Sequence, residues 1–169
     1  MIFIGIGANL PHPEHGPPRK TCEAALAALT AAGLRVLRRS RWYESEPMPT
    51  SDQPRFINGV AEVATELAPA ELLERLHRVE ADFGRVRHQA NEARVLDLDL
   101  LAYRGCVSAP GASPVLPHPR LAERAFVVLP LAELAPDWRH PVSGLSAAGL
   151  VGRLPAGQTA WAIEAAAQP

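Results

Sequence analysis

The spacing of apolar and polar positions divides the chain into short segments of two different periods. Residues 2–6, IFIGI, form an apolar run of strand length that leads into the glycine-bearing turn GAN. After the proline-rich loop PHPEHGPP, the stretch CEAALAALTAA predicts a helix that starts at Pro18 or Thr21 and stops at Gly33. Residues 34–45, LRVLRRSRWYES, read as one strand, and the loop EPMPTSDQP separates it from FINGVAEVATEL at 56–67, where a period near two predicts another. Leu72, Leu76, Val79 and Phe83 recur at helical spacing, so a second helix runs from Pro69, whose missing N–H costs little in a first turn, to Gly84. A polar loop over 85–94 precedes the strand VLDLDLLAY at 95–103. Residues 117–136, PHPRLAERAFVVLPLAELAP, read as a helical segment interrupted by Pro130, and the C-terminal tail shows no clear pattern.

The order strand, helix, strand, strand, helix, strand predicts an α+β fold. Its core is a ferredoxin-like βαββαβ unit, an antiparallel sheet with helices packed on it, followed by an α-helical C-terminal extension. With 169 residues and neither a repeat nor a linker, residues 1–169 are expected to form a single domain.

Composition narrows the field by exclusion. A net charge of −1 gives no electrostatic reason to expect nucleic acid or an anionic membrane surface. No apolar run approaches the roughly 20 residues of a membrane-spanning helix, and no basic region with a long apolar stretch follows Met1, so no signal peptide is visible. Cys22 and Cys106 make no disulfide framework, which fits a reduced, cytoplasmic setting, and a monomer is the default expectation. Lys20 is the only lysine among 17 basic residues. With arginine this general, each arginine has to be judged by its position.

The chemistry concentrates in VLDLDLL. Side chains two apart on a strand share a face, which puts Asp97 and Asp99 together, roughly 6.5–7 Å apart, and Leu96, Leu98 and Leu100 on the other side. Two carboxylates this close repel, so they need arginines, a cation or a proton. A hard divalent cation such as Mg²⁺ suits two convergent carboxylates plus phosphate oxygens. On spacing alone, an arginine-paired sheet face and a metal site both stay open. The neighbourhood favours phosphate: His77 and Glu80 share a helix face just upstream, Arg85 and Arg87 follow, and Arg94 stands before the aspartates. By contrast, GIGAN lacks the third glycine of a dinucleotide loop and reads as a tight turn in which Asn9 bonds nearby backbone. His12 and His15 have no further ligand-type neighbours. Asn58 lies among apolar residues and must be satisfied, by backbone or by a polar ligand. His118, in PHPR, is placed to cap a helix or to contact phosphate.

Taken together, several stretches resemble the 6-hydroxymethyl-7,8-dihydropterin pyrophosphokinase family. They are GANL at 7–10, RWYESEP and SDQPRFIN within 41–58, ELLERLHRVEADFGRVR at 71–87, RVLDLDLL at 94–101 and LPHPRLAERAFVVLPLAELAPDW at 116–138. The resemblance implies transfer of pyrophosphate from ATP to the hydroxyl of 6-hydroxymethyl-7,8-dihydropterin, giving the pterin diphosphate and AMP, in folate biosynthesis. It implies two Mg²⁺ ions on Asp97 and Asp99, with Arg85 and Arg87 as catalytic residues beside them. It assigns His77, Glu80, Arg85, Arg87, Arg94, Leu100, His118 and Arg124 to ATP, and Ser45, Met48, Phe56, Asn58 and Phe126 to the pterin. The chain departs from the family in three places. His77 stands where glutamine is frequent, Ser45 where threonine is frequent, and the loop HQANEA lacks the usual tryptophan.

Overall fold

The computed structural model describes residues 1–85 and 92–163. Strand β1 (Ile2–Ala8) is the centre of the architecture, and almost every position on both its faces is buried. It pairs antiparallel with β4 (Phe56–Ala64) on one side and β5 (Asp97–Tyr103) on the other. Beyond β4 lie β2 (Arg35–Arg39) and β3 (Tyr43–Ser45), and β6 (Ala160–Ala162) pairs with β3. The path through the sheet is β5–β1–β4–β3–β6, with β2 also on β4, and every pairing is antiparallel. The fold is α+β, a six-stranded antiparallel sheet with helices.

Alternation along the strands sends apolar side chains to two cores. Ile2, Ile4 and Ile6 of β1 and Leu98 and Leu100 of β5 meet Leu29 of α1 (Pro18–Ala31) and Leu72 and Leu76 of α2 (Pro69–Asp82). Each leucine fully buried this way contributes about 1.5–3 kcal/mol. On the opposite face, Phe3, Val60 and Leu101 meet Val128 and Leu131 of α3 (Ala125–Leu134) and Leu150 of α4 (Ala147–Val151). A register shift between Phe3 and Ile4 gives β5 an extra residue, after which Ala102 rather than Tyr103 faces α3. That bulge lets β5 fill both cores at one end and carry aspartates at the other.

The predicted helices stand where their periodicity puts them. α1 starts at Pro18, α2 at Pro69, and glycines at positive φ, Gly33 and Gly84, follow their ends. At the start of α2 the Glu71 carboxylate accepts the Ala68 N–H at 3.0 Å, supplying the cap that Ala68 itself cannot.

Two expectations need correction. The single strand over 34–45 is two strands, because Ser40 and Trp42 break the pairing. Ser40 Oγ accepts the Val60 N–H and donates to the Arg41 carbonyl, while the Trp42 ring lies flat against β4 at Gly59. The helical segment over 117–136 is also shorter than its composition suggests. Leu121–Glu123 is a 3₁₀ turn, Arg124 is extended, and α3 then runs unbroken through Pro130, whose ring is buried. Packing of this apolar helix on the sheet outweighs the one backbone bond that Pro130 forfeits. Among the described residues, no helix is long and apolar enough to cross a membrane.

Glu133 ties α3 to the β2–β3 junction, accepting the Arg41 N–H at 2.8 Å, Arg41 Nε at 3.1 Å and the Tyr43 hydroxyl at 2.6 Å. Partial burial pushes the Glu133 carboxyl up, but these donors outweigh it and hold it below its ordinary value of 4.5. Burial and the facing carboxylate push the Tyr43 hydroxyl up to about 12.

Two predictions follow from these contacts. A Cβ at Gly59 would come within 2.8 Å of the Trp42 ring, so Gly59→Ala should cost about 1–3 kcal/mol, read as a lower urea midpoint with an unchanged slope. Because the Glu133 pKa is depressed in the folded state, its contribution is present above the ordinary carboxylate range and lost as pH falls through the folded value. The stability gap between the protein and Glu133→Gln should therefore be full near neutral pH and narrow as the pH drops below 4.5, measured by urea melts across pH; a gap that widens on acidification would overturn this.

Candidate active site

Where β1 runs out beyond the cover of α3, two glycines replace large side chains. Gly5 stands opposite Asp99 and Gly7 opposite Asp97 in the β1–β5 register. Phe3, one strand period earlier on the same face, is completely buried against the second core. Leu101 packs over Gly5, 3.5 Å from where a Cβ would stand, whereas Gly7 lines a cleft of about 410 Å³. Gly7 has a second reason to be glycine, since a Cβ would sit 3.1 Å from Asn58 Oδ1 on the neighbouring strand.

One wall of the cleft is apolar and amide-bearing. Asn58 of β4 and Ser45 of β3 are both buried, and Asn58 Nδ2 donates to Ser45 Oγ at 2.8 Å. Phe56 and Phe126 flank them, each with an arginine against its ring: Arg94 at 6.0 Å from the Phe56 centroid and Arg124 at 5.4 Å from Phe126. Met48, Pro47 and Pro49 complete this side from the loop after β3.

The other wall is charged. Arg85, from the end of α2, pairs through Nη1 with both Asp97 Oδ1 and Glu80 Oε1, and Arg94 Nη1 binds Asp97 Oδ2 at 2.8 Å. Burial works against the Arg85 charge, yet Asp97 and Glu80 raise its pKa overall. Asp99 has looser company, with Arg124 Nη1 at 3.8 Å from Oδ2. Burial and the neighbouring Asp97 charge push the Asp99 carboxyl up, with His118, Arg124 and Arg85 pulling the other way. Burial lowers the pKa of His118, against the pull of Asp99, and lowers that of Arg124, with Arg120 adding to the effect. His118 Nδ1 accepts the Arg120 N–H at 3.2 Å, so the neutral ring carries its proton on the other nitrogen.

The donor set at the cleft floor consists of hard oxygens. Among the described residues no three His, Cys, Asp or Glu side chains gather in metal-binding range. A cation on Asp97 and Asp99 would therefore complete its shell with ligand oxygens and water, the habit of Mg²⁺ rather than of zinc. The residues fit such a group.

Most of the positions singled out in the sequence meet here: Ser45, Met48, Phe56, Asn58, Arg85, Arg94, Asp97, Asp99, His118, Arg124 and Phe126 all line the cleft. Three lie elsewhere. Glu80 is buried behind it, accepting the Leu98 N–H at 2.7 Å between the two aspartates. Leu100 is 3% exposed and packs into the α1–α2 core on the opposite face. His77 is half-buried on α2, outside the cleft lining. Arg87, with most of the 85–94 loop, lies outside the described residues.

Arg120 was not singled out, and Asn9, expected to bond nearby backbone in a tight turn, instead follows β1, which runs straight through Gly7 to Ala8. Arg120 lines the cleft and belongs to the PHPR motif, which was the signal for it. Asn9 is 1% exposed and joins three segments. Its Oδ1 accepts the Arg94 N–H at 2.8 Å, its own N–H donates to the Arg94 carbonyl at 3.0 Å, and Nδ2 donates to Pro54 O at 3.0 Å and Gln53 Oε1 at 3.2 Å. It therefore fixes the segment leading into β5 against the loop that carries Met48.

Comparison with known proteins places the chain in a family. Residues 3–136 match the family model described as 7,8-dihydro-6-hydroxymethylpterin-pyrophosphokinase. A 2-amino-4-hydroxy-6-hydroxymethyldihydropteridine pyrophosphokinase of Pseudomonas aeruginosa is 40% identical over 142 residues, covering 83% of this chain and 83% of that protein. Its namesake in Synechocystis sp. is 41% identical over 142 residues, 83% of this chain and 69% of the relative. The folic acid synthesis protein fol1 of Pneumocystis carinii is 40% identical over 147 residues, 87% of this chain, but the chain spans only 19% of that longer protein. With the match running from β1 through α3 and taking in both aspartates, the chain belongs to the 7,8-dihydro-6-hydroxymethylpterin-pyrophosphokinase family.

Proposed function

We propose that this protein transfers the pyrophosphate of ATP to the hydroxyl of 6-hydroxymethyl-7,8-dihydropterin, releasing AMP, with Asp97 and Asp99 as the ligands of Mg²⁺. The observation that carries the reading is the opposition across one cleft of an aspartate–arginine floor and an amide-and-aromatic wall. A polyphosphate and a flat polar heterocycle are the ligands those two halves suit. The sheet path β5–β1–β4 with β2 beside β4 supports a ferredoxin-like reading of the core.

In this reading Asn58 and Ser45 offer hydrogen-bonding groups to the polar edge of the pterin, and Phe56 and Phe126 offer ring faces to its plane. Arg85, Arg94 and Arg124 meet the phosphates, where a planar guanidinium can bind two oxygens at once. Bound Mg²⁺ would supply electrostatic stabilisation of the charge that builds on the phosphate oxygens. The chain itself holds the pterin hydroxyl in line with the β-phosphorus, so catalysis is chiefly positioning and electrostatics. Glu80 acts from behind, holding Arg85 and the β5 backbone at Leu98. Leu100, with its side chain in the core, is left only its main chain to offer a nucleotide.

The deciding experiment is incubation with ATP and 6-hydroxymethyl-7,8-dihydropterin, with and without Mg²⁺. AMP and pterin diphosphate should form only with the metal, whereas ADP or free pyrophosphate as product would sink the reading in favour of another nucleotide enzyme. Asp97→Ala and Asp99→Ala should each reduce AMP formation at least a hundredfold, about 2.7 kcal/mol of transition-state stabilisation. Both should keep a cooperative melt, and normal turnover in either would refute the metal assignment.

A further inference from the structure

α3 begins without a cap of its own. Its N-cap is Arg124, whose side chain makes no capping bond and turns instead to Asp99 and the Phe126 ring. An uncapped helix start leaves backbone N–H groups needing partners. The partner comes from the far end of the chain. Gln158, in the segment before β6, accepts the Ala125 N–H with Oε1 at 2.8 Å and donates from Nε2 to the Glu123 carbonyl at 2.5 Å. One carboxamide thus grips the residue before Arg124 and the residue after it. Its own segment is tied down where β6 pairs with β3, which carries Ser45, and where Ile163 N–H donates to the Trp42 carbonyl at 2.7 Å.

The bracketed residue is at a conformational junction. Leu121–Glu123 is a 3₁₀ turn, Arg124 is extended with φ −110° and ψ 114°, and Ala125 opens the helix. Nothing in Arg124's own side chain holds that change of direction, since its guanidinium is committed to the cleft. Gln158 is also outside residues 3–136, the stretch matched by the family model, so its clamp lies beyond the segment that the comparison covers.

We infer that Gln158 is a positioning residue for the cleft: by clamping Glu123 and Ala125 it sets the direction in which Arg124 meets the phosphate side and Phe126 meets the heterocycle. The inference rests on the proposed reaction for its kinetic consequence, but not for its structural one. Gln158→Glu separates positioning from mere stability. A carboxylate still accepts the Ala125 N–H, and its charge suits a helix N-terminus. It cannot donate to the Glu123 carbonyl, and two oxygens facing each other at that distance must part.

The test compares wild type, Gln158→Glu and Gln158→Ala by thermal melting, by steady-state kinetics and by NMR of the Arg124 Nε–H signal. Gln158→Glu should melt within about 2 °C of wild type, equivalent to about 0.5–1 kcal/mol for a chain of this size, and shift the Arg124 Nε–H signal. Its kcat should fall at least fivefold, with a smaller change in KM for ATP. Gln158→Ala should lose both melting temperature and kcat. A Gln158→Glu protein with wild-type kcat and an unmoved Arg124 signal would overturn the inference, as would a loss of kcat in both variants that merely tracks melting temperature. Should the wild type form no AMP, the proposed reaction fails, while the Arg124 signal still decides whether Gln158 positions it.

Discussion

The pairing of Gly5 and Gly7 on β1 with Asp99 and Asp97 on β5 is the contact from which the rest of the cleft follows. A strand buried on both faces normally fills each with bulk, as β1 does with Ile2, Ile4 and Ile6 toward α1 and α2 and with Phe3 toward α3. At the next two positions on the α3 face the side chains are missing. Asp97 and Asp99, across from them, line the cleft instead of the packed interior, which spares them the full cost of burying charge. Leu98 and Leu100, between and after them, hold β5 down on the other side.

Once two carboxylates share that face, charge balance dictates the neighbours. Asp97 is neutralised by Arg85 and Arg94, which reach it from the end of α2 and from the approach to β5. Asp99 has the more distant Arg124, and burial together with the neighbouring Asp97 charge raises its pKa. The two aspartates are chemically unlike despite their symmetrical spacing, one committed to guanidinium partners and the other more loosely held. Glu80 makes this asymmetry rigid, since it grips both Arg85 and the backbone between the aspartates.

The sequence made the local periodicities legible and left the long-range contacts hidden. The stripe Leu72, Leu76, Val79 and Phe83 is buried as its spacing requires, and the face shared by Asp97 and Asp99 follows from a period of two. The break between β2 and β3 depends on Trp42 meeting Gly59 across the sheet, a contact between residues seventeen apart that no local pattern announces. Pro130 misleads for a similar reason: helix propensity counts the lost bond, while the burial that offsets it is visible only in three dimensions. Glu80 was placed in the right neighbourhood, but its buried position behind the floor depends on the approach of α2 to β5. Leu100 shows two lines of reasoning parting, because alternation puts its side chain in the core and resemblance puts its position at the nucleotide.

The arginines at the floor have a consequence for any polyphosphate that enters. Arg85 and Arg94 pair with Asp97 and are largely buried, so their guanidinium groups are already partly desolvated and held at the floor. Under the proposed reaction, Asp97 would be a ligand of the cation, and the guanidinium groups of Arg85 and Arg94 would meet phosphate oxygens without first being stripped of water. Preorganisation of this kind reduces the reorganisation needed at the moment of transfer. Lysine, a point charge with strong hydration on a flexible stem, would hold the same balance with less directional control.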